Sequence, residues 1–139
     1  LTTHAVAATC THIAIHARNV TRSVAFYECY AGLVEVHRRT DDSVTVVWLG
    51  ERGHEREFVI VLLGMPHADP VSPQPVAHIG YAVETRDEVD RLAALARSEG
   101  ILIEPARDAG AIVGYFCIVR DPDGNWIEFS HGQALGVNA

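Results

Sequence analysis

No paired-cysteine motif, no long apolar run and no concentration of basic residues occurs in these 139 residues. The three cysteines, Cys10, Cys29 and Cys117, are odd in number and form no CxxC. They read as reduced thiols of a cytoplasmic protein, buried or incidental rather than nucleophilic. No stretch approaches the ~20 apolar residues of a membrane span. Leu1 to Thr9 lacks the basic region and apolar run of a secretory signal. Only 11 Lys and Arg residues, scattered, stand against 18 Asp and Glu, for a net charge of −7. That balance gives no footprint for a nucleic acid or an anionic membrane. What is present, 48% hydrophobic and 21% charged residues, reads as one soluble globular domain over 1–139.

The most informative feature is a repeated phrase, Thr11-His12-Ile13 and Ala77-His78-Ile79. The two histidines are 78 − 12 = 66 residues apart, nearly half the chain. Each opens a strand-like run, followed by a helix-like run ending at a Gly and then by three more strands. The chain therefore reads as one βαβββ module written twice, at 10–63 and 76–131. Between them, residues 64–75 hold Pro66, Pro70, Pro73 and Pro75, four of the six prolines. Proline fixes φ and removes a backbone donor, so this segment reads as a linker.

In the first module, Cys10–His16, Leu33–Arg38, Val44–Leu49 and Phe58–Leu63 read as strands. Asn19 caps a helix with an apolar stripe of Val20, Val24, Tyr27 and Ala31, stopped by Gly32. In the second, Val76–Val83, Ile101–Glu104, Val113–Val119 and Trp126–Ser130 read as strands. Thr85 and Glu88 form a capping box for a helix that buries Val89, Leu92, Ala93 and Ala96 and ends at Gly100. Turns are expected at Asp41-Asp42-Ser43, Gly50–Gly53 and Asp121-Pro122-Asp123-Gly124. Pro105–Ile112 reads as a loop and candidate lid. The expected architecture is α+β: two tandem modules joined into a curved, mostly antiparallel eight-stranded sheet, with helices on the outer face.

Alternation along a strand puts His12, Ala14 and His16 on one face, and His78, Gly80 and Ala82 on one face. The apolar partners Ile13, Ile15, Ile79, Tyr81 and Val83 are expected to turn to the helix-packed core. Both histidines then face away from the helices, each next to a small residue that leaves room for a ligand. On the last strand Glu128 shares a face with Trp126 and Ser130. A carboxylate in a Trp-Ile-Glu-Phe run is costly to bury unless paired or metal-bound. His12, His78 and Glu128 form a two-histidine, one-carboxylate set. That set suits Fe(II) or Mn(II), with Zn(II) or Ni(II) as alternatives. Shifting Glu128 back by 67 residues lands on Val61. The symmetric fourth corner is apolar, so three protein ligands are inferred. His16, Trp48 and Trp126 are the expected pocket-liners. Glu57 is a candidate fourth ligand or base, although its charged neighbours Glu55 and Arg56 suggest a solvated strand start. The other histidines, His4, His37, His54, His67 and His131, read as surface residues.

The pattern resembles the vicinal oxygen chelate superfamily, which includes glyoxalase I, bleomycin-resistance proteins, fosfomycin-resistance transferases and extradiol dioxygenases. The resemblance runs from Cys10 to His131. Its most specific part is Arg120-Asp121-Pro122-Asp123-Gly124-Asn125-Trp126-Ile127-Glu128-Phe129, similar to the superfamily's DPDGN-x-IE signature. The resemblance implies a small-molecule substrate and a homodimer in which His12 of one subunit meets His78 and Glu128 of the other. Three departures narrow the choice. Val61 stands where glyoxalase I carries a carboxylate. Ile118 stands where extradiol dioxygenases carry an acid–base tyrosine, and Tyr115 lies three positions away on the opposite face. Arg38, Arg39, Arg107 and Arg120 form no phosphonate-binding cluster, although each could face an anion.

Two functions follow. One is a metal-dependent enzyme whose substrate chelates the metal through adjacent oxygens, undergoing isomerisation, epoxide opening or ring cleavage. Its acid–base residue is unassigned, with Glu57 and Tyr115 as candidates. The other is a metal-free drug-binding protein of the bleomycin-resistance kind, with a groove lined by Trp48, Trp126 and Tyr81.

Overall fold

The computed structural model describes residues 7–73 and 76–135; His4, Pro75 and the stretch from Leu1 to Val6 lie outside them. The element order is β1 (His12–Ala17), α1 (Val20–Ala31), β2 (Val34–Asp41), β3 (Val44–Glu51), β4 (His54–Gly64), β5 (His78–Ala82), α2 (Arg86–Ser98), β6 (Leu102–Asp108), β7 (Tyr115–Arg120) and β8 (Trp126–His131). This is the βαβββ pattern written twice. The chain divides into two compact units, Leu1–Pro66 and His67–Ala139. The eight strands form two hydrogen-bonded ladders of four, ordered β1-β4-β3-β2 and β5-β8-β7-β6. In each ladder the first and last strands of the module run parallel and the remaining pairs antiparallel.

In the first unit α1 packs on β3 and β4. The Asn19 side chain accepts from the Arg22 N–H at 3.1 Å, and Gly32 closes the helix in the left-handed region at φ 65°. The buried helix residues are Ser23, Val24, Phe26, Tyr27 and Tyr30. The expected stripe missed Phe26 and Tyr30, whose rings stack with centroids 4.7 Å apart. Beneath them lie Val47, Leu49, Ile60 and Leu62, all essentially sealed from solvent. The opposite face carries a second apolar cluster, in which Val36, Val44, Trp48 and Leu63 pack on Val46, Val59 and Val61. Ile13 does not join the helix-side core: it lies near the start of β1, opposite Ile60, and is 40% exposed. The β2–β3 hairpin turns through Asp42 and Ser43, both at positive φ (47° and 73°), as a two-residue hairpin requires.

In the second unit α2 packs on β6, β7 and β8 through Val89, Leu92, Ala93 and Ala96. Thr85 Oγ1 accepts from the Glu88 N–H at 3.1 Å. The reciprocal half of the capping box is not made, because the Glu88 carboxylate pairs with Arg91 at 2.9 Å. The expected loop from Pro105 to Ile112 is shorter. β6 runs on to Asp108 through Pro105, and only residues 109–114 leave the sheet. An edge strand tolerates proline because its outward N–H needs no partner, and β6 is the edge, with register shifts flanking Glu104.

Cys10 and Cys29 are exposed and Cys117 is buried, all three free. Burial against α2 pushes the Cys117 thiol up to about 11. Ellman's reagent is therefore expected to titrate two of the three thiols of the native protein rapidly, the third reacting only in denaturant.

Candidate metal centre

β5 and β8 run in parallel register, His78 opposite Trp126 and Gly80 opposite Glu128. His78, Gly80, Trp126 and Glu128 thus share one face, with His78 and Glu128 diagonal neighbours. The alternate residues of β8, Ile127 and Phe129, are sealed in the core. The Glu128 side chain leans across β5. A Cβ on Gly80 would stand 3.2 Å from its Oε2, so the missing side chain is what makes space for the carboxylate. Glu128 is only 8% exposed. Its one hydrogen bond among the described residues comes from Gln133 Nε2 at 3.4 Å. A buried carboxylate needs more compensation than one long bond supplies. His78 Nδ1 lies 3.2 Å from the Val76 carbonyl oxygen. A carbonyl only accepts, so Nδ1 holds the proton of the neutral ring and the Nε2 lone pair is left for a metal. This donor set fits a divalent cation.

β1 repeats the arrangement beside β4, with His12 opposite Val59 and Ala14 opposite Val61. Superposing the two registers puts His12 on His78, Ala14 on Gly80 and Val61 on Glu128. The 67-residue offset between Val61 and Glu128 is thus an equivalence of place in the ladder. His12 Nδ1 is 3.1 Å from Thr11 Oγ1. It borders a cavity of about 340 Å³ whose lining includes Val36, Trp48, Val59 and Val61. His78 and Glu128 belong to one unit and His12 to the other. Among the described residues no three His, Cys, Asp or Glu side chains gather closely enough to hold one metal ion.

The remaining candidates separate clearly. Trp48 lines the cavity, and Trp126 stands beside His78 in the ladder. His16 is half-buried opposite Leu63 and does not line the cavity. Tyr81 stacks on Phe129 with centroids 6.0 Å apart, on the face away from Glu128. Tyr115 is turned to α2, where its hydroxyl donates to Asp90 and Arg86 lies 4.5 Å over its ring. The Asp90 hydrogen bond raises its pKa above the usual value. Tyr115 is therefore absent from the face that Ile118 shares with Glu128. Glu57 is exposed and accepts from His54 at 2.8 Å. Instead of Glu57, Glu55 and Arg56 reach the cavity, and sequence reasoning missed them. Between β3 and β4 the register jumps from Gly50 opposite Val59 to Glu51 opposite His54, which breaks the alternation. A Cβ on Gly50 would fall 2.6 Å from the Glu55 carbonyl oxygen. A glycine inside a strand pattern was the available signal of a bulge. Arg38, Arg39 and Arg107 pair with Glu35, Asp41 and Glu104, and Arg120 donates to the Gly100 carbonyl at 3.0 Å.

The turn before β8 is closed by two backbone hydrogen bonds, Asp121 N–H to the Asn125 carbonyl at 2.8 Å and Gly124 N–H to the Asp121 carbonyl at 3.1 Å, and by the Asp121 side chain. Asp121, 3% exposed, accepts through Oδ1 from the N–H groups of Asp123 and Asn125 at 2.9 Å each. Its Oδ2 accepts from Asn125 Nδ2 at 2.9 Å.

A duplicated βαβββ chain with a buried carboxylate diagonal to a strand histidine defines a class. Residues 9–129 match the Glyoxalase/Bleomycin resistance protein/Dioxygenase superfamily, and the chain belongs to it. Uncharacterized protein PA2024 of Pseudomonas aeruginosa is 40% identical over 130 residues, covering 92% of this chain and 91% of that protein. Among solved structures, a glyoxylase/bleomycin resistance protein/dioxygenase domain from Frankia sp. EAN1pec aligns with TM-score 0.73 at 19% identity, covering 92% of this chain and 100% of that one. A mutant of the fosfomycin resistance protein FosX from Listeria monocytogenes, complexed with Mn(II) and 1S,2S-dihydroxypropylphosphonic acid, aligns with TM-score 0.72 at 18% identity, covering 94% and 96%.

Asp121→Ala removes the acceptor for one buried and two part-buried donors. It is expected to cost at least about 2 kcal/mol of stability, read as a lowered urea midpoint at unchanged slope.

Proposed function

We propose that this chain is a divalent-metal-dependent enzyme acting on a small substrate that presents two neighbouring oxygens to the metal. The observation that carries this reading is Glu128, a buried carboxylate with one long hydrogen bond, laid over Gly80 beside His78. His12, His78 and Glu128 would hold the ion. In this reading His12 comes from a second copy of the chain in a homodimer, as the resemblance to the superfamily implies. Two imidazoles and a carboxylate suit Fe(II) or Mn(II), and the FosX relative was crystallised with Mn(II). A divalent ion held there would supply Lewis-acid chemistry suited to an isomerase, lyase, transferase or ring-cleavage reaction. The chain's own residues position it: the Val76 carbonyl holds the His78 tautomer and Gln133 steadies the carboxylate. Three unpaired thiols accord with a cytoplasmic setting. No helix among the described residues is long and apolar enough to cross a membrane.

A metal-free binding protein is the second reading, favoured by the mostly apolar lining of the cavity beside Trp48. Metal analysis of tag-free protein separates the two. The enzyme reading expects a stoichiometric divalent metal. His78→Ala is expected to weaken its binding by more than the ~10–100-fold that outer-shell changes cost, with circular dichroism unchanged. Well-folded protein that takes up no metal sinks the reading. Mixing His12→Ala with His78→Ala chains is expected to restore a single intact site per mixed dimer, and failure to do so rejects the shared site.

A further inference from the structure

The cavity in the first unit carries charges that holding a metal does not require. Its volume is about 340 Å³, near the small end of ligand pockets, which suits a molecule of roughly one ring and a short chain. The floor is Val36, Val59, Val61 and Trp48, and His12 stands at its edge. Three charged side chains share the wall: Arg39, Glu55 and Arg56. Arg39 is committed, with Nε donating to Asp41 at 2.6 Å, Nη1 3.0 Å from His37 Nε2 and its guanidinium 6.0 Å over Trp48. Glu55 is held by the turn, its Oε1 accepting from the Gly53 N–H at 2.8 Å. That bond lowers its pKa, so Glu55 stays anionic. Arg56 has no ion-pair or hydrogen-bond partner among the described residues. All 11 basic residues are arginine, so the cation available to a ligand is a planar guanidinium, which meets a carboxylate with two parallel hydrogen bonds. One uncommitted arginine beside one glutamate suits a single negative charge better than a phosphate dianion.

We propose that this cavity selects the substrate: a carboxylate-bearing molecule with a ring-sized apolar body, the body resting on Val59, Val61 and Trp48 and the carboxylate meeting Arg56. The assignment rests on the metal-site reading for what is delivered to His12, but the binding it claims needs no metal.

Calorimetric titration of the chelator-treated full chain with 3-phenylpropionate and with 3-phenylpropan-1-ol tests it. The acid is expected to bind about ten-fold or more tightly than the alcohol. Arg56→Gln should bring the acid down to the alcohol's affinity and leave the alcohol unchanged, and Arg56→Lys should recover part of the difference. Trp48→Leu should weaken both. Equal affinities, an Arg56→Gln variant that keeps the preference, or no binding of either probe overturns the proposal. Probe affinity that falls as protein concentration rises assigns the cavity to a second copy of the chain and overturns it too. The two readings fail separately. An Arg56-dependent preference in protein that takes up no metal rejects only the metal site. A stoichiometric metal without the preference rejects only this assignment.

Discussion

The Asp121 carboxylate gathers two backbone N–H groups and the Asn125 amide into one partly buried turn, and that turn decides where β8 begins. Strand faces alternate, so a slip of one residue would turn Ile127 and Phe129 out of the core and drive Glu128 toward α2. The register of Gly80 opposite Glu128 is thus held from both sides. The turn sets the start of the strand, and two sealed side chains penalise any other pairing. The Asp-Pro-Asp-Gly-Asn run therefore acts through folding. Without it the carboxylate beside His78 would not stand on the open face.

Duplication makes the energetics of the two units comparable. Both place a histidine and a small residue on the first strand and pair them, in the same parallel register, with the last. In the first unit the equivalent of Glu128 is Val61, which joins an apolar cluster with Val46 and Val59. In the second it is a carboxylate taken out of water with one long hydrogen bond. A βαβββ module accommodates valine at that place, and the buried, thinly compensated glutamate is what the proposed metal site is argued from.

The order of elements, both helix caps and the facing of His12, His78 and Glu128 could be read from the sequence, because period-two alternation and capping chemistry are local. What could not be read depends on contacts between strands. Glu55 and Arg56 reach the cavity because a register jump at Gly50 breaks the alternation that Glu57 was expected to obey. Phe26 and Tyr30 are buried because an aromatic stack widens the helix stripe. Pro105 stays in a strand because β6 is an edge, and the edge position is a property of the ladder. Tyr115 was placed on the far face by counting, but the Asp90 and Arg86 that hold it there come from a different element.

Each helix closes one face of its sheet, and that face is filled by residues with almost no freedom to change: Leu49, Ile60 and Leu62 under α1, and Val119, Ile127 and Phe129 under α2. A methylene lost or added there costs stability. The candidate site residues stand on the opposite faces or at their rims: His12 and Arg56 around one cavity, His78 and Glu128 in one ladder. Packing thus divides the sequence between a face that must stay apolar and a face free to hold polar groups. A register jump lies at the rim, where β3 leaves β4 at Gly50. There the chain trades ladder pairing for the reach of two charged side chains, Glu55 and Arg56, to the cavity wall.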